Sequence, residues 1–310
     1  MHHSFSSPPE ILTFGEAMAM FVADTPGDLS SIERFHRRLA GADNNVAIGL
    51  SRLGFHVGWL SRVGTDSFGG FIQAALTAEG IDDRYIRADA QHPTGLLFKE
   101  RAQNGDDPRV EYFRRGSAAS HLTIDDARNV DFQALNHLHA TGITPALSES
   151  ARQLSHHLME ESRAHGASIS FDPNLRPSLW PSENVMRSTL NELAGRADWV
   201  LPGLSEGQLL TGQKTPYDIA GYYLDQGASA VIIKLGPEGS YYRGNLDGQE
   251  ESFTVAGCHV AGVVDTVGAG DGFAVGVISA LLDGRTAHQA AQRGNLIGAQ
   301  AIQVVGDMEG

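Results

Sequence analysis

Short apolar runs along the chain are separated by longer stretches in which apolar positions recur with a helical period. The runs are typical of strands buried on both faces of a parallel sheet, because they lack the alternating polar positions of a half-exposed strand. The stretches between them predict helices, and the regular succession of the two predicts a doubly wound α/β fold. The predicted strands are residues 11–14, 57–60, 168–171, 199–201 and 230–233, and the predicted helices are residues 45–53, 68–79, 148–164, 182–194 and 217–225.

Two regions, about residues 16–40 and 93–115, depart from this succession. In the second region, residues 95–100 and 110–114 have the pattern of half-exposed strands around a turn at residues 104–108. The two regions together predict a small β-sheet. Because its pieces interrupt the main domain, we expect all 310 residues to form a single domain with a discontinuous β appendage.

The composition narrows the class of protein and of partner. A chain with 41% hydrophobic residues can bury a large core. The net charge of −14 argues against binding to nucleic acid or to an anionic membrane surface, since both need clustered cations. No segment reaches the roughly 18 uninterrupted apolar residues that a membrane helix requires. The single cysteine, Cys258, cannot form an intrachain disulfide, so we expect a cytoplasmic protein.

Residues 265–273 place a glycine turn and an aspartate at the predicted start of a helix. Gly268 and Gly270 allow a tight turn that presents backbone N–H groups to an anion, and the positive end of the following helix faces the same point. A carboxylate at such a site, here Asp271, is a poor phosphate ligand but is well suited to accept a proton from an attacking hydroxyl. The segment therefore predicts a phosphoryl-transfer site.

The pattern Asp-Thr-x-Gly-Ala-Gly-Asp-x-Phe in this segment resembles the C-terminal signature of the ribokinase-like, or PfkB, family of carbohydrate kinases. The resemblance implies a mainly parallel sheet flanked by helices, with the small β-sheet as a lid over the sugar. It also implies that ATP and Mg²⁺ are required, that Asp271 is the catalytic base, and that Gly268, Ala269 and Gly270 hold the transferring phosphate.

Asp265 opens the same motif, and its expected role differs from that of Asp271. The resemblance implies that Asp265 fixes the loop or helps to build a monovalent-cation site, with K⁺ as the expected ion. The resemblance also leaves open a homodimer that pairs through the lid.

Residues 40–54 join a turn of small residues to a helix with polar side chains at its start. They resemble the N-terminal signature of the family, Gly-Gly-Ala-x-x-Asn, with an alanine in place of the first glycine. The resemblance implies that Gly41 and Asn45 contact sugar hydroxyls. From the residues alone, we expect Asp43 or Asn44 to cap the helix.

Two arginines in separate segments bear on the substrate class. Residues 112–120 carry Tyr112 and Arg114, and residues 171–177 carry Arg176. A planar guanidinium binds a carboxylate through two parallel hydrogen bonds, so convergence of these arginines predicts an acidic sugar as substrate. Within the family, the patterns Tyr-x-Arg-x-x-Ser-Ala-Ala and Asp-x-Asn-x-Arg resemble kinases of 2-keto-3-deoxygluconate. Tyr112 is expected to close the pocket or to donate its hydroxyl to the sugar acid.

Further segments resemble the nucleotide side of the family. Glu206 matches the acidic position of an Asn-x-x-Glu element that organises magnesium through water, whereas Gly203 replaces the Asn. Residues 234–240 resemble a nucleotide-binding Leu-Gly-x-x-Gly segment, and Asn295 resembles the residue beside the adenine. The expected nucleotide-binding residues are Lys234, Gly236, Gly239, Gly268, Gly270 and Asn295.

The expected reaction is transfer of a phosphoryl group from ATP to the terminal hydroxyl of 2-keto-3-deoxygluconate. Two alternatives stay open at this point. One is a kinase for a neutral sugar such as fructose or ribose, because the Asp-x-Asn-x-Arg pattern also occurs in fructokinase-like relatives, and Arg114 and Arg176 can instead be a solvated strand residue and a surface ion-pair partner. The other is a catalytically silent sensor of a sugar acid that keeps the same fold.

Overall fold

A computed structural model of the chain describes residues 5, 7–101, 108–246, 248–260, 263 and 266–303. The strands are β1 Ile11–Phe14, β2 Met18–Ala23, β3 Phe35–Ala40, β4 Val57–Gly64, β5 Ile86–Asp89, β6 Leu96–Lys99, β7 Val110–Phe113, β8 His137–Thr141, β9 Ser168–Asp172, β10 Trp199–Val200, β11 Ala230–Lys234, β12 Gly239–Gly244 and β13 Glu251–Ala256. The helices are α1 Ala42–Arg52, α2 Ser67–Ala78, α3 Thr144–Leu147, α4 Glu149–Ala164, α5 Glu183–Ala194, α6 Leu204–Thr211, α7 Pro216–Asp225, α8 Ala269–Leu282 and α9 Ala287–Ala301.

A nine-stranded sheet forms the centre of the molecule, in the order β13-β12-β11-β10-β9-β8-β1-β4-β5. The seven strands from β11 to β5 in this order run parallel, and β12 and β13 are antiparallel additions at one edge. Successive side chains of a strand point to opposite faces, so Ile11 joins one hydrophobic cluster while Leu12 and Phe14 join the other. Both faces are therefore buried, as the uninterrupted apolar runs predict.

Helices cover both faces of this sheet. Leu158 of α4, Leu190 of α5 and Tyr223 of α7 pack into one cluster. Leu50 of α1 and Val277 of α8 pack into the other. The prediction of a doubly wound α/β fold is confirmed. No helix in the described ranges is long and apolar enough to cross a membrane.

The start of α1 differs from the sequence-based expectation. The helix begins at Ala42 rather than near residue 45, and its N-cap is Gly41. The φ of Gly41 is 146°, a conformation that residues with a Cβ atom rarely adopt. No side chain makes a capping bond there, so the expectation that Asp43 or Asn44 caps the helix is wrong. Because Gly41 supplies the turn through its backbone, Asp43 and Asn45 both fall in the first helical turn.

A four-stranded sheet in the order β3-β2-β6-β7 lies beside the large one. Its strands come from the two regions that interrupt the helix–strand succession. Met18, Met20 and Leu97 form a small buried cluster, and contacts between aromatic rings join Phe21 to Phe98 and Phe98 to Phe113. The predicted turn at residues 104–108 lies outside the described residues except for Pro108.

Candidate active site

The carboxyl ends of central strands, the first turns of α1 and α8 and the small sheet enclose a cavity of about 510 Å³. It brings together ten of the residues that the sequence analysis singles out. On one side the lining includes Gly41, Asn45, Tyr112, Arg114 and Arg176. On the other side it includes Glu206, Lys234, Gly268, Gly270 and Asp271.

Asp271 stands in the first turn of α8, at the positive end of a helix that is buried over most of its length. Gly268 is the N-cap and has a φ of 85°, a left-handed conformation that favours glycine. The backbone N–H groups of a first helical turn have no carbonyl partner within the helix, so the turn that begins at Gly268 is suited to bind an anion. Ala269 is the first residue of the helix, and the cavity lining passes from Gly268 to Gly270.

Asn45 connects the first turn of α1 to that of α8. Its Nδ2 donates a hydrogen bond of 2.8 Å to Oδ2 of Asp271. Gly41 precedes it in the same cavity wall, where a Cβ would lie 2.5 Å from the carbonyl oxygen of Glu16. Asn45 therefore lies beside the expected base, and Gly41, the other residue expected to contact sugar hydroxyls, lines the same cavity.

Asp43 is a further acid of the cavity, buried in the first turn of α1. Burial raises the pKa of its carboxyl group to about 7, a hydrogen bond from Thr141 opposes the shift, and the negative charge of Asp271 adds to it. Its Oδ1 has no hydrogen-bond partner among the described residues. Near neutral pH the protonated and ionised forms of this group are therefore both populated, and the group lines the cavity that contains the expected base.

Arg114 lies in the cavity wall with its guanidinium bound to Glu16. Nε and Nη2 of Arg114 contact Oε2 of Glu16 at 2.6 and 2.5 Å, and Ser117 Oγ donates a hydrogen bond to Oε1. Both side chains are buried, with relative exposures of 8% and 1%. Glu16 thus fixes the position of Arg114 and neutralises part of its charge, while Nη1 takes no part in the pair.

Arg176 reaches the same cavity from the loop after β9. Its Nη1 donates a hydrogen bond of 2.8 Å to the carbonyl oxygen of Leu175, and the side chain is half-buried. Asn174, two residues earlier, has a positive φ of 39°, a conformation that asparagine tolerates better than most residues. Tyr112 lines the cavity from β7, with its ring centroid 5.8 Å from Cζ of Arg114. Both arginines and the tyrosine therefore border one volume.

Glu206 holds two loops at the cavity edge. Its Oε2 accepts a hydrogen bond of 2.7 Å from the backbone N–H of Gly203, and its Oε1 accepts one of 2.8 Å from that of Leu175. A carboxylate has about four lone-pair positions, so each oxygen can also accept a magnesium-bound water. Among the described residues no cluster of three or more acidic, histidine or cysteine side chains is arranged to hold a metal. The lone pairs of Glu206 that remain suit Mg²⁺, which keeps several of its waters when it binds to a protein.

Lys234, the last residue of β11, forms a salt bridge with Asp172, the last residue of β9. Its Nζ lies 2.7 Å from Oδ2 of Asp172. Burial lowers the pKa of Lys234, but the carboxylates of Asp172 and Glu206 outweigh this effect and the pKa lies above its ordinary value. The ammonium group therefore stays charged inside the cavity wall.

Several expected nucleotide residues lie outside the cavity lining. Gly236 and Gly239 flank the short turn between β11 and β12. Asn295 of α9 is buried, and its Nδ2 donates to the carbonyl oxygens of Val255 and Ala256, at 3.1 Å each. Asp265 lies outside the described residues, and so does the expected K⁺ site.

Three acids of this region are not among the site residues expected from the sequence: Glu16, Asp43 and Asp172. A signal for two of them is present, because Glu16 and Asp172 each stand at the carboxyl end of a buried strand, where α/β proteins bind ligands. The pairing of Glu16 with Arg114 spans 98 positions and leaves no local signal.

Comparison with known proteins gives concordant results. Residues 8–310 match the model of the pfkB family of carbohydrate kinases. The chain is 54% identical over 302 residues to 2-dehydro-3-deoxygluconokinase of Bacillus subtilis, covering 97% of this chain and 92% of that protein. The crystal structure of a PfkB protein from Polaromonas is 50% identical with a TM-score of 0.89, covering 97% of this chain and 98% of that one. A structure from Escherichia coli described as ribokinase II in complex with ATP and Mg²⁺ is 28% identical with a TM-score of 0.86, covering 97% and 95%.

Proposed function

The chain belongs to the pfkB family of carbohydrate kinases, and we propose that it phosphorylates the terminal hydroxyl of 2-keto-3-deoxygluconate. This acid is also called 2-dehydro-3-deoxygluconate, and the products are 2-keto-3-deoxy-6-phosphogluconate and ADP. The observation that carries the proposal is the convergence of Asp271, Arg114 and Arg176 on one cavity. A proton acceptor and two carboxylate-binding groups then face the same substrate.

The arginines select an acid over a neutral sugar. Arg176 binds the substrate carboxylate from the loop after β9, and Arg114 contributes the part of its guanidinium that the bond to Glu16 leaves available. Gly41, Asn45 and Tyr112 contact the sugar hydroxyls and the keto end. A neutral ketose has no carboxylate to form charged pairs with these guanidinium groups.

Asp271 is the catalytic base. The hydrogen bond from Asn45 to its Oδ2 orients the carboxylate, which accepts the proton of the terminal hydroxyl. As the O–H bond breaks, the substrate oxygen forms a bond to the γ-phosphorus and the bond from that phosphorus to ADP breaks on the opposite side. The backbone N–H groups of the turn formed by Gly268, Ala269 and Gly270 stabilise the charge on the transferring group.

The remaining cofactor assignments follow from the same arrangement. Magnesium neutralises the charge of the nucleotide phosphates, and Glu206 orients it through bound water. Gly236, Gly239 and Asn295 shape the nucleotide side beyond the cavity. The proposed K⁺ site at Asp265 is tested by comparing rates in potassium and sodium buffers.

The small sheet is a lid of residues about 16–40 and 93–115 that closes over the sugar and excludes water during transfer. Its contribution of Met18, Leu97 and Tyr112 to the cavity wall supports this role.

The small sheet also pairs two copies of the chain through its edge strand β7, on which Phe113 is 58% exposed. Light scattering after size-exclusion chromatography tests the homodimer, and a monomer mass would rule it out. The enzyme works in the cytoplasm, where its single cysteine stays reduced.

ADP release from ATP and Mg²⁺ measures the activity against 2-keto-3-deoxygluconate, fructose, ribose and adenosine. We expect the highest kcat/KM for the sugar acid, with a product of one added phosphate by mass spectrometry. A preference for fructose or ribose would replace the proposal by a neutral-sugar kinase. Binding of the acid without ADP release would identify a sensor instead.

A further inference from the structure

The ammonium group of Lys234 stands against the first turn of α8. A Cβ built on Gly270 would lie 3.5 Å from Nζ of Lys234, and Gly270 immediately precedes Asp271 in the chain. The side chain is 18% exposed and lines the cavity. A fixed positive charge therefore stands beside the turn that is suited to hold the transferring phosphate.

Cationic side chains are scarce in this cavity. The described lining contains four carboxylates, Glu16, Asp43, Glu206 and Asp271, but only three cations, Arg114, Arg176 and Lys234. Arg114 is bound to Glu16, and Arg176 enters from the loop on the substrate side. Lys234 is the cation whose position matches the phosphate turn. A triphosphate that enters so acidic a cavity needs a compensating charge at that point.

The ion pair with Asp172 does not use all the donors of Lys234. The ammonium group has three N–H donors, and among the described residues it makes one hydrogen bond, to Oδ2 of Asp172. Asp172 is buried, and its Oδ1 accepts a hydrogen bond of 3.2 Å from the backbone N–H of Asn174. Asp172 thus holds the lysine through one N–H donor and leaves its other N–H donors for a second anion.

We propose that Lys234 is a catalytic residue that binds the γ-phosphoryl oxygens during transfer, and that Asp172 is the positioning residue that aims it. The inference rests on the proposed phosphoryl transfer and assigns to Lys234 a role beyond general nucleotide binding. Charge that develops on the transferring group is stabilised by a donor already in place, without reorganisation at the moment of reaction. A compact ammonium on a flexible stem can keep its contact with Asp172 while it meets the phosphoryl group.

The test uses the full-length enzyme with the variants Lys234→Met, Asp172→Asn and the double variant. We expect Lys234→Met to lower kcat by about 10²- to 10³-fold, as the loss of one preorganised donor does. If the ion pair only stabilised the fold, Lys234→Met would lose activity because it leaves the buried carboxylate of Asp172 without its partner. The double variant would then recover most of the activity. Recovery in the double variant, or near-normal kcat in Lys234→Met, would overturn the proposal.

Measurements of nucleotide affinity distinguish the loss of a contact with the γ-phosphate from a general disruption of the site. We expect Lys234→Met to bind the ATP analogue AMP-PNP with Mg²⁺ at least about tenfold more weakly, a loss of about 1.4 kcal/mol, while ADP affinity changes little. Equal losses for both nucleotides would contradict contact with the γ-phosphate. If the wild-type enzyme phosphorylates a different sugar, the substrate assignment fails alone and the variants are measured with that sugar. If it phosphorylates none, the catalytic role fails with the proposed function, and the two nucleotide affinities still decide whether Lys234 contacts the γ-phosphate.

Chemical restoration of the ammonium group tests the proposal even if Lys234→Met folds poorly. Cys258 is the single cysteine of the chain, so Lys234→Cys in a Cys258→Ser background has one thiol. Reaction with 2-bromoethylamine forms a thioether and releases bromide, which restores an ammonium group at nearly the original length. We expect at least a tenfold rise in kcat on modification, and no rise in the Cys258→Ser parent. An unchanged rate after complete modification by mass would count against the catalytic role.

Discussion

Asn45 and Asp271 lie 226 positions apart and meet through a hydrogen bond of 2.8 Å between Nδ2 and Oδ2. The bond joins the first turns of α1 and α8, which come from the two ends of the chain. It holds the carboxylate of Asp271, the proposed proton acceptor, against the first turn of α1. The side chain proposed to contact the sugar is thus hydrogen-bonded to the proposed base.

Replacing Asp271 with Asn removes the proposed proton acceptor but keeps the shape of the side chain. We expect kcat to fall by at least about 100-fold, the effect typical of general-base catalysis, while calorimetry still detects ADP binding. Asp283→Asn is a matched control, because Asp283 follows the other end of α8 and is exposed. A kcat of Asp271→Asn within a few-fold of the wild-type value would exclude the base assignment.

Replacing Arg176 with Ala tests carboxylate recognition without disturbing the buried pair of Arg114. A hydrogen bond to a charged group contributes about 1.5–3 kcal/mol, so we expect the KM for 2-keto-3-deoxygluconate to rise roughly 10- to 100-fold. The KM for ATP should change far less. Arg196→Ala is the control, because this arginine pairs with Glu160 and Glu192 on the outside of the helices. Equal effects of Arg176→Ala on the acid and on fructose would contradict the assignment.

Replacing Glu16 with Ala leaves the Arg114 guanidinium buried without its partner. Breaking a buried ion pair on one side costs about 3–5 kcal/mol, and we expect a loss of that order in the free energy of unfolding measured with urea. The double variant Glu16→Gln with Arg114→Met removes both charges and should recover much of that stability while activity stays low. Full stability of Glu16→Ala would show that water or a neighbouring group already compensates Arg114.

The fold was largely predictable because the signals that define it are local. The apolar runs at Ile11–Phe14 and Ala230–Lys234 are buried on both faces, so their patterns alone indicate parallel strands. The place of Asp271 in the first turn of α8 was also predictable, because the glycine turn and the acid lie within nine consecutive residues. The contacts of Arg114 with Glu16 were not, since a pairing of distant residues depends on the tertiary fold and not on any local pattern.

The buried carboxyl of Asp43 makes stability depend on pH in a direction opposite to that of most carboxylates. Its pKa is raised by burial from an ordinary value of 3.8 to about 7, so between these values the folded protein holds a proton that the unfolded chain has lost. The contribution of Asp43 to stability is therefore complete below about pH 4, falls by about 1.4 kcal/mol per pH unit, and levels off above pH 7.

Asp43→Asn has no proton to lose, and urea unfolding from pH 5 to 8 measures the difference. We expect the stability of the variant relative to the wild type to rise by about 2–3 kcal/mol from pH 5 to 7 and then stay constant. Asp66→Asn is the control. Burial raises the pKa of Asp66, but hydrogen bonds from the N–H groups of Thr94 and Gly69 outweigh that effect and the net shift is downward. Its difference from the wild type should be flat over this range. A flat profile for Asp43→Asn as well would mean that Asp43 stays ionised in the folded protein, so that two negative charges face each other at the base.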